Sequence, residues 1–231
     1  MYLENRIIDL LTSGGVADAR KFFLSWDEAR NASWANAHRQ AKLLAASPGH
    51  LPALRGQLRH QLGEEALAIA AEQAKLGIIA RPTEQPGACM MLARVGRFAL
   101  ASVKVRHRTL LPRQSLTREV LSRPNLELDP QSDFLQGKPP GSLTELAYFG
   151  CLIAVPSCSD PSAPGELCLA VPDGSMRDWI KVLSIETLHG MLLDRAAGSK
   201  KAKPTSASKI EDKVIPQIIV PKIEKPGGGD Q

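Results

Sequence analysis

Leu3, Ile7, Leu10 and Leu11 recur at helical spacing, and Ser13-Gly14-Gly15 then halts the pattern, so the periodicity predicts a first helix over residues 2–12. From Val16 to Ala46 there is neither proline nor glycine. Phe22, Phe23, Trp26, Trp34 and Leu43 stand out there as the apolar side of one long helix, or of two broken near Asn31. Ser47-Pro48-Gly49 is a strong breaker, after which Leu51, Leu54, Leu58 and Leu62 mark a further helix. Ala66 to Leu76 marks another, divided from it at Leu62-Gly63 and closed by Gly77. This pair has the outline of a helix-turn-helix, but Glu64 and Glu65 occupy the positions that would meet DNA, so an ordinary helical hairpin is expected.

Beyond Gly77 the pattern changes. Cys89 to Val95 and Gly96 to Arg106 read as strands meeting in a tight turn at Gly96, with Arg81 to Gly87 as the loop before them. A short helix fits Ser115 to Leu121 with Ser115 as its cap, and Asn125 to Leu143 reads as loop. Glu145 to Val155 and Glu166 to Val171 form a second strand pair, and Ser184 caps a last helix reaching Arg195. The order predicts an α+β protein: a helical layer, residues 1–77, packed on a small, mainly antiparallel sheet region, residues 78–197. Residues 198–231 collapse to Lys, Pro, Ser, Gly and Ile and are expected to be a disordered tail. No internal repeat is visible.

Composition adds little to that picture. Of 231 residues, 43% are hydrophobic and 23% charged, which suits a globular core, and at 4% aromatic that core is mainly aliphatic. The N-terminus interleaves charged and apolar residues, unlike a signal peptide, and the run Leu146 to Val155 is too short to span a bilayer. A cytoplasmic protein that makes no membrane contact is the expectation. Cys89, Cys151 and Cys168 lie in apolar runs and are read as buried, reduced thiols; with Cys158 they show no CxxC spacing, so no metal site is expected.

Charge changes the picture most. Arg94, Arg97, Lys104, Arg106, Arg108, Arg113, Arg118 and Arg123 face a single acid, Glu119, in their stretch of chain. A one-sign field of this kind concentrates polyanions. On a strand, Lys104, Arg106 and Arg108 would share one face about 6.6 Å apart, close to the phosphate step of a nucleic-acid strand. Arg113 and Arg118 would follow on the same edge. The candidate nucleic-acid contacts are thus Lys104, Arg106, Arg108, Arg113 and Arg118, meeting DNA or RNA backbone without sequence preference. The alternative is a solvated face, or internal pairing with Glu127, Asp129 and Asp133. Phe98 is the single aromatic of the segment, too few for a base-stacking surface.

Catalytic patterns are missing. No P-loop, GxGxxG after a strand, GxSxG or HExxH occurs, and no cofactor is implied. The Asp/Glu-x-Lys strand of a metal-dependent nuclease is replaced by Ser102-Val103-Lys104, and serine cannot neutralise a divalent cation. Two non-enzymatic functions are favoured, with an enzyme of unfamiliar active site, which would need a concave cluster of carboxylates or histidines, as a third reading. One is an accessory protein held on nucleic-acid phosphates; the other is an adaptor or assembly subunit. The adaptor would dock a protein partner through the tail's apolar island, Val214, Ile215, Ile218, Ile219, Val220 and Ile223.

Overall fold

A computed structural model describes residues 2–128 and 147–201, without the side chains of residues 199–201. Six strands form one sheet, in spatial order identical to chain order: β1 (Ile78–Pro82), β2 (Cys89–Val95), β3 (Phe98–Lys104), β4 (Tyr148–Pro156), β5 (Pro164–Pro172) and β6 (Trp179–Ser184). Every neighbouring pair is antiparallel except β3 and β4, which run parallel from Phe98↔Tyr148 to Lys104↔Ala154. The α+β class and the mainly antiparallel sheet follow.

Among the described residues the helices are α1 (Tyr2–Leu11), α2 (Val16–Leu44), α3 (Leu51–Gln73), α4 (Leu116–Ser122) and α5 (Ile185–Lys201), with a 3-10 turn over Arg123–Glu127. One core cluster joins Ile7, Phe22, Trp26, Trp34, Leu67, Leu188 and Leu192 of the helices to Phe98, Leu100, Leu152 and Leu169 of the sheet. The opposite face of the sheet holds a second cluster, with Ala101, Val103, Phe149, Cys151, Ile153 and Cys168, against which Leu121 of α4 packs. Alternation along β3 therefore sends Phe98 and Leu100 to the large helices and Ala101 and Val103 to the α4 side. β4 is covered on both faces, which is why Tyr148 to Ala154 reads as an unbroken apolar run.

Two local predictions hold in atomic detail. Ser115 Oγ accepts from the Arg118 backbone N–H at 3.3 Å, and Ser184 Oγ accepts from that of Thr187 at 3.1 Å. Gly96 turns β2 into β3 with φ +56, and a Cβ there would lie 2.5 Å from the Leu11 carbonyl oxygen, so this turn requires glycine. Among the described residues no helix is long and apolar enough to cross a membrane.

Other expectations fail for identifiable reasons. The predicted hairpin between Leu51 and Leu76 is one continuous helix, α3, running straight through Gly63. Residues 81–87 were expected as loop, yet Ile78–Pro82 pairs with β2 as an edge strand, and the half-buried β6 forms the other edge. Leu43 is 79% exposed rather than core-facing, and Cys89 is exposed, whereas Cys151 and Cys168 are buried. The island from Val214 to Ile223 and the expected disorder of the tail lie outside the described residues.

Candidate phosphate-binding site

The row expected along the basic strand is not built. β3 ends at Lys104, and Arg106 and Arg108 lie in the bends and turns that follow. Arg108 is engaged: its Nη1 lies 3.2 Å from Glu166 Oε1. Arg118 sits in α4, on the other side of the sheet from the large helices, and its Nη1 donates to the Arg113 carbonyl at 2.6 Å. The five predicted residues therefore divide, with Lys104 and Arg106 on the α2–α3 side and Arg113 and Arg118 beside α4.

What Lys104 meets was not visible in the charge run. Gly56, Arg59 and Gly63 are spaced i, i+3, i+7 and so share one face of α3. A Cβ on Gly56 would lie 3.1 Å from Lys104 Nζ, so the ammonium rests where α3 has no side chain. One turn on, Arg59 is buried, with its guanidinium carbon 4.0 Å from the centre of the Trp34 ring. One further turn on, Arg30 of α2 fills the place of the missing Gly63 side chain. A Cβ there would fall 2.7 Å from the Arg30 guanidinium carbon. Arg30 is 1% exposed, lies 5.3 Å from the same Trp34 ring, and donates from Nη1 to the Arg59 carbonyl at 3.0 Å.

The cluster gathers like charges. Among the described residues no carboxylate pairs with Arg30, Arg55, Arg59, Lys104 or Arg106. The side-chain Nε atoms of Arg30 and Arg59 have no hydrogen-bond partner there either, while Arg59 Nη2 donates to the Pro161 carbonyl. Burial, then the charge of Arg59, pulls the pKa of Arg30 down to about 10. Burial and Arg55 bring Arg59 to about 10 as well. Lys104 is lowered by partial burial and then by Arg59, Arg55, Arg106 and Arg30. His38, one turn beyond Trp34, is lowered by burial and then by Lys42, Arg55 and Arg59, with Asp160 opposing. The Asp160 carboxylate is already occupied: its Oδ1 accepts from Ser162 N at 2.7 Å and Ser162 Oγ at 2.6 Å.

An uncompensated cluster of guanidinium and ammonium groups attracts phosphate or carboxylate. Arg30 had a signal in the sequence, since it falls on the stripe of Trp26, Trp34, Ala37 and Ala41 where every other residue is buried and apolar. No three His, Cys, Asp or Glu side chains gather into a possible metal site among the described residues. Compared with protein-family models, curated proteins and solved structures, the chain matches none.

Proposed function

We propose that this is a non-enzymatic accessory protein that associates with nucleic acid by holding phosphate groups, through Lys104 and Arg106 together with Arg55 and Arg59. The observation that carries this reading is the absence of any carboxylate partner for these four cations among the described residues, although the chain contains 24 acids overall. An ion-paired surface would cancel the field a polyanion requires; this one leaves it standing. Arg113 and Arg118 offer a second, smaller basic spot beside α4, and Arg108 contributes least because Glu166 holds it.

Three outward cations, Arg55, Lys104 and Arg106, each neutralising one phosphate, give log affinity against log salt a slope of about −2.7 on duplex DNA. Fluorescence anisotropy of a labelled duplex between low and moderate salt measures it. Lys104→Glu should weaken binding on every sequence alike. A protein that binds no DNA or RNA even at low ionic strength would reject the reading.

A further inference from the structure

We infer that α3 carries a docking face for a second copy of this chain, so that two protomers pair antiparallel along it about a two-fold axis. Toward the interior α3 presents Arg59, Gly63, Ala66, Leu67, Ala70 and Ala71. The leucines that mark this helix in the sequence lie elsewhere. Leu51, Leu58 and Leu62, with Ile69, are spaced i, i+7, i+11 and i+18, so they follow one stripe about a third of a turn away from the buried side. The three leucines are half-buried and Ile69 is 38% exposed, and among the described residues none of the four joins either core cluster. The fold thus leaves an apolar stripe on α3 that its own core does not use.

Its pattern is palindromic about His60, which is what selects a second copy as the occupant. Turning another α3 end for end sets Leu51 against Ile69 and Leu58 against Leu62, each pair formed twice, as an isologous contact requires. The two charged residues on the stripe obey the same symmetry: Arg55 and Glu65 each lie five residues from His60, so Arg55 meets Glu65 of the second copy. Neither has an ion-pair partner of its own among the described residues. Within one chain the two are separated by about 15 Å of helix, too far to pair. Parallel pairing would set Arg55 on Arg55 and Glu65 on Glu65, and a purely apolar partner would bury both charges unanswered. The stripe runs for about 27 Å, long enough for two helices to pack side by side. Gly56, against which Lys104 rests, lies on a different face of α3. In the dimer Arg55 is therefore taken up by the second copy, while Lys104 and Arg106 of both protomers stay outward, and the inference does not depend on the phosphate-holding function proposed above.

The test is sedimentation of the full-length protein at low ionic strength over roughly 1–100 μM, the range in which a modest interface assembles. The wild type should pass from monomer to dimer. Arg55→Glu and Glu65→Arg should each weaken the dimer by about tenfold. Combining the two substitutions should restore it, because the exchanged charges meet again across the axis and nowhere else. Leu58→Glu, near the centre of the stripe, should hold the protein monomeric throughout; if that variant does not fold, the charge exchange keeps the test decisive. A wild type that stays monomeric at the top of the range would overturn the inference. So would a dimer indifferent to either charge reversal, or a double variant no tighter than the single ones.

Discussion

Replacing Arg30 by methionine should make the protein more stable. The guanidinium is 1% exposed, and its pKa is drawn down to about 10 by burial and by Arg59. Against an ordinary value of roughly 12.5, that drop corresponds to about 3 kcal/mol by which the folded state disfavours the cation at neutral pH. The cation also gains from one hydrogen bond to the Arg59 carbonyl at 3.0 Å and from the Trp34 ring at 5.3 Å. Together these contribute about 1.5–2 kcal/mol. Methionine fills comparable space with an apolar, adaptable chain, so the net gain should be about 1–2 kcal/mol. For a chain of this size the melting temperature should rise by about 2–8 °C. Urea unfolding followed by circular dichroism checks the free energy, and thermal unfolding in phosphate-free buffer checks the temperature. If the cluster holds phosphate as proposed, adding phosphate should narrow the gap, because an anion bound there would stabilise the wild type selectively. A fall of several degrees in Arg30→Met would refute the argument and make Arg30 a structural hydrogen-bonding anchor instead.

Asn125 is fully buried and ties the 3-10 turn to β4 and the end of β5, donating to Phe149 O at 2.9 Å and Pro172 O at 2.7 Å and accepting from Phe149 N at 2.9 Å. Asn125→Ala should therefore cost about 2–4 kcal/mol in chemical denaturation; a loss below 1 kcal/mol would contradict the bonding pattern. The Glu84 carboxylate accepts from the Thr117 hydroxyl at 2.8 Å and from the Thr117 backbone N–H at the start of α4, and the Thr117 bonds hold its pKa below the ordinary value. Its contribution to stability is present above the unfolded-state pKa and lost as pH falls through the lower folded one, so Glu84→Gln should flatten the acid side of a melting-temperature profile. Burial pushes Cys151 and Cys168 up to about 12, so native protein should alkylate quickly at the exposed Cys89 and Cys158 only. Because the unfolded chain ionises these two thiols first, stability should fall as pH rises above about 9, by roughly 1.4 kcal/mol per pH unit for each thiol; Cys151→Ala should lessen that slope.

Patterns within a few residues of one another were legible before any coordinates. The period of α1 and α2, the turn at Gly96, the caps at Ser115 and Ser184, and the apolar runs of β4 and β5 each express a local preference of backbone and side chain. The edge strands were harder, because β1 ends in proline and β6 is only half-buried, so neither carries the apolar alternation of a covered strand. The parallel pairing of β3 with β4 leaves no local trace at all.

Gly63 shows where local reasoning stops. Alone it reads as a helix break, since a glycine inside a helix costs about 1 kcal/mol. Packed, its bare Cα is the space into which Arg30 fits, and α3 continues. The charge run likewise pointed to Lys104 and Arg106 but not to Arg30, Arg55 and Arg59, which are scattered singly through helical sequence. By itself, then, the sequence determined which segments become helices and strands and that the chain is rich in cations. Tertiary structure alone decided which of those cations meet and which find an acid, because Coulomb interaction depends on distance through space, and residues 30, 59 and 104 become neighbours only once α2, α3 and β3 have packed.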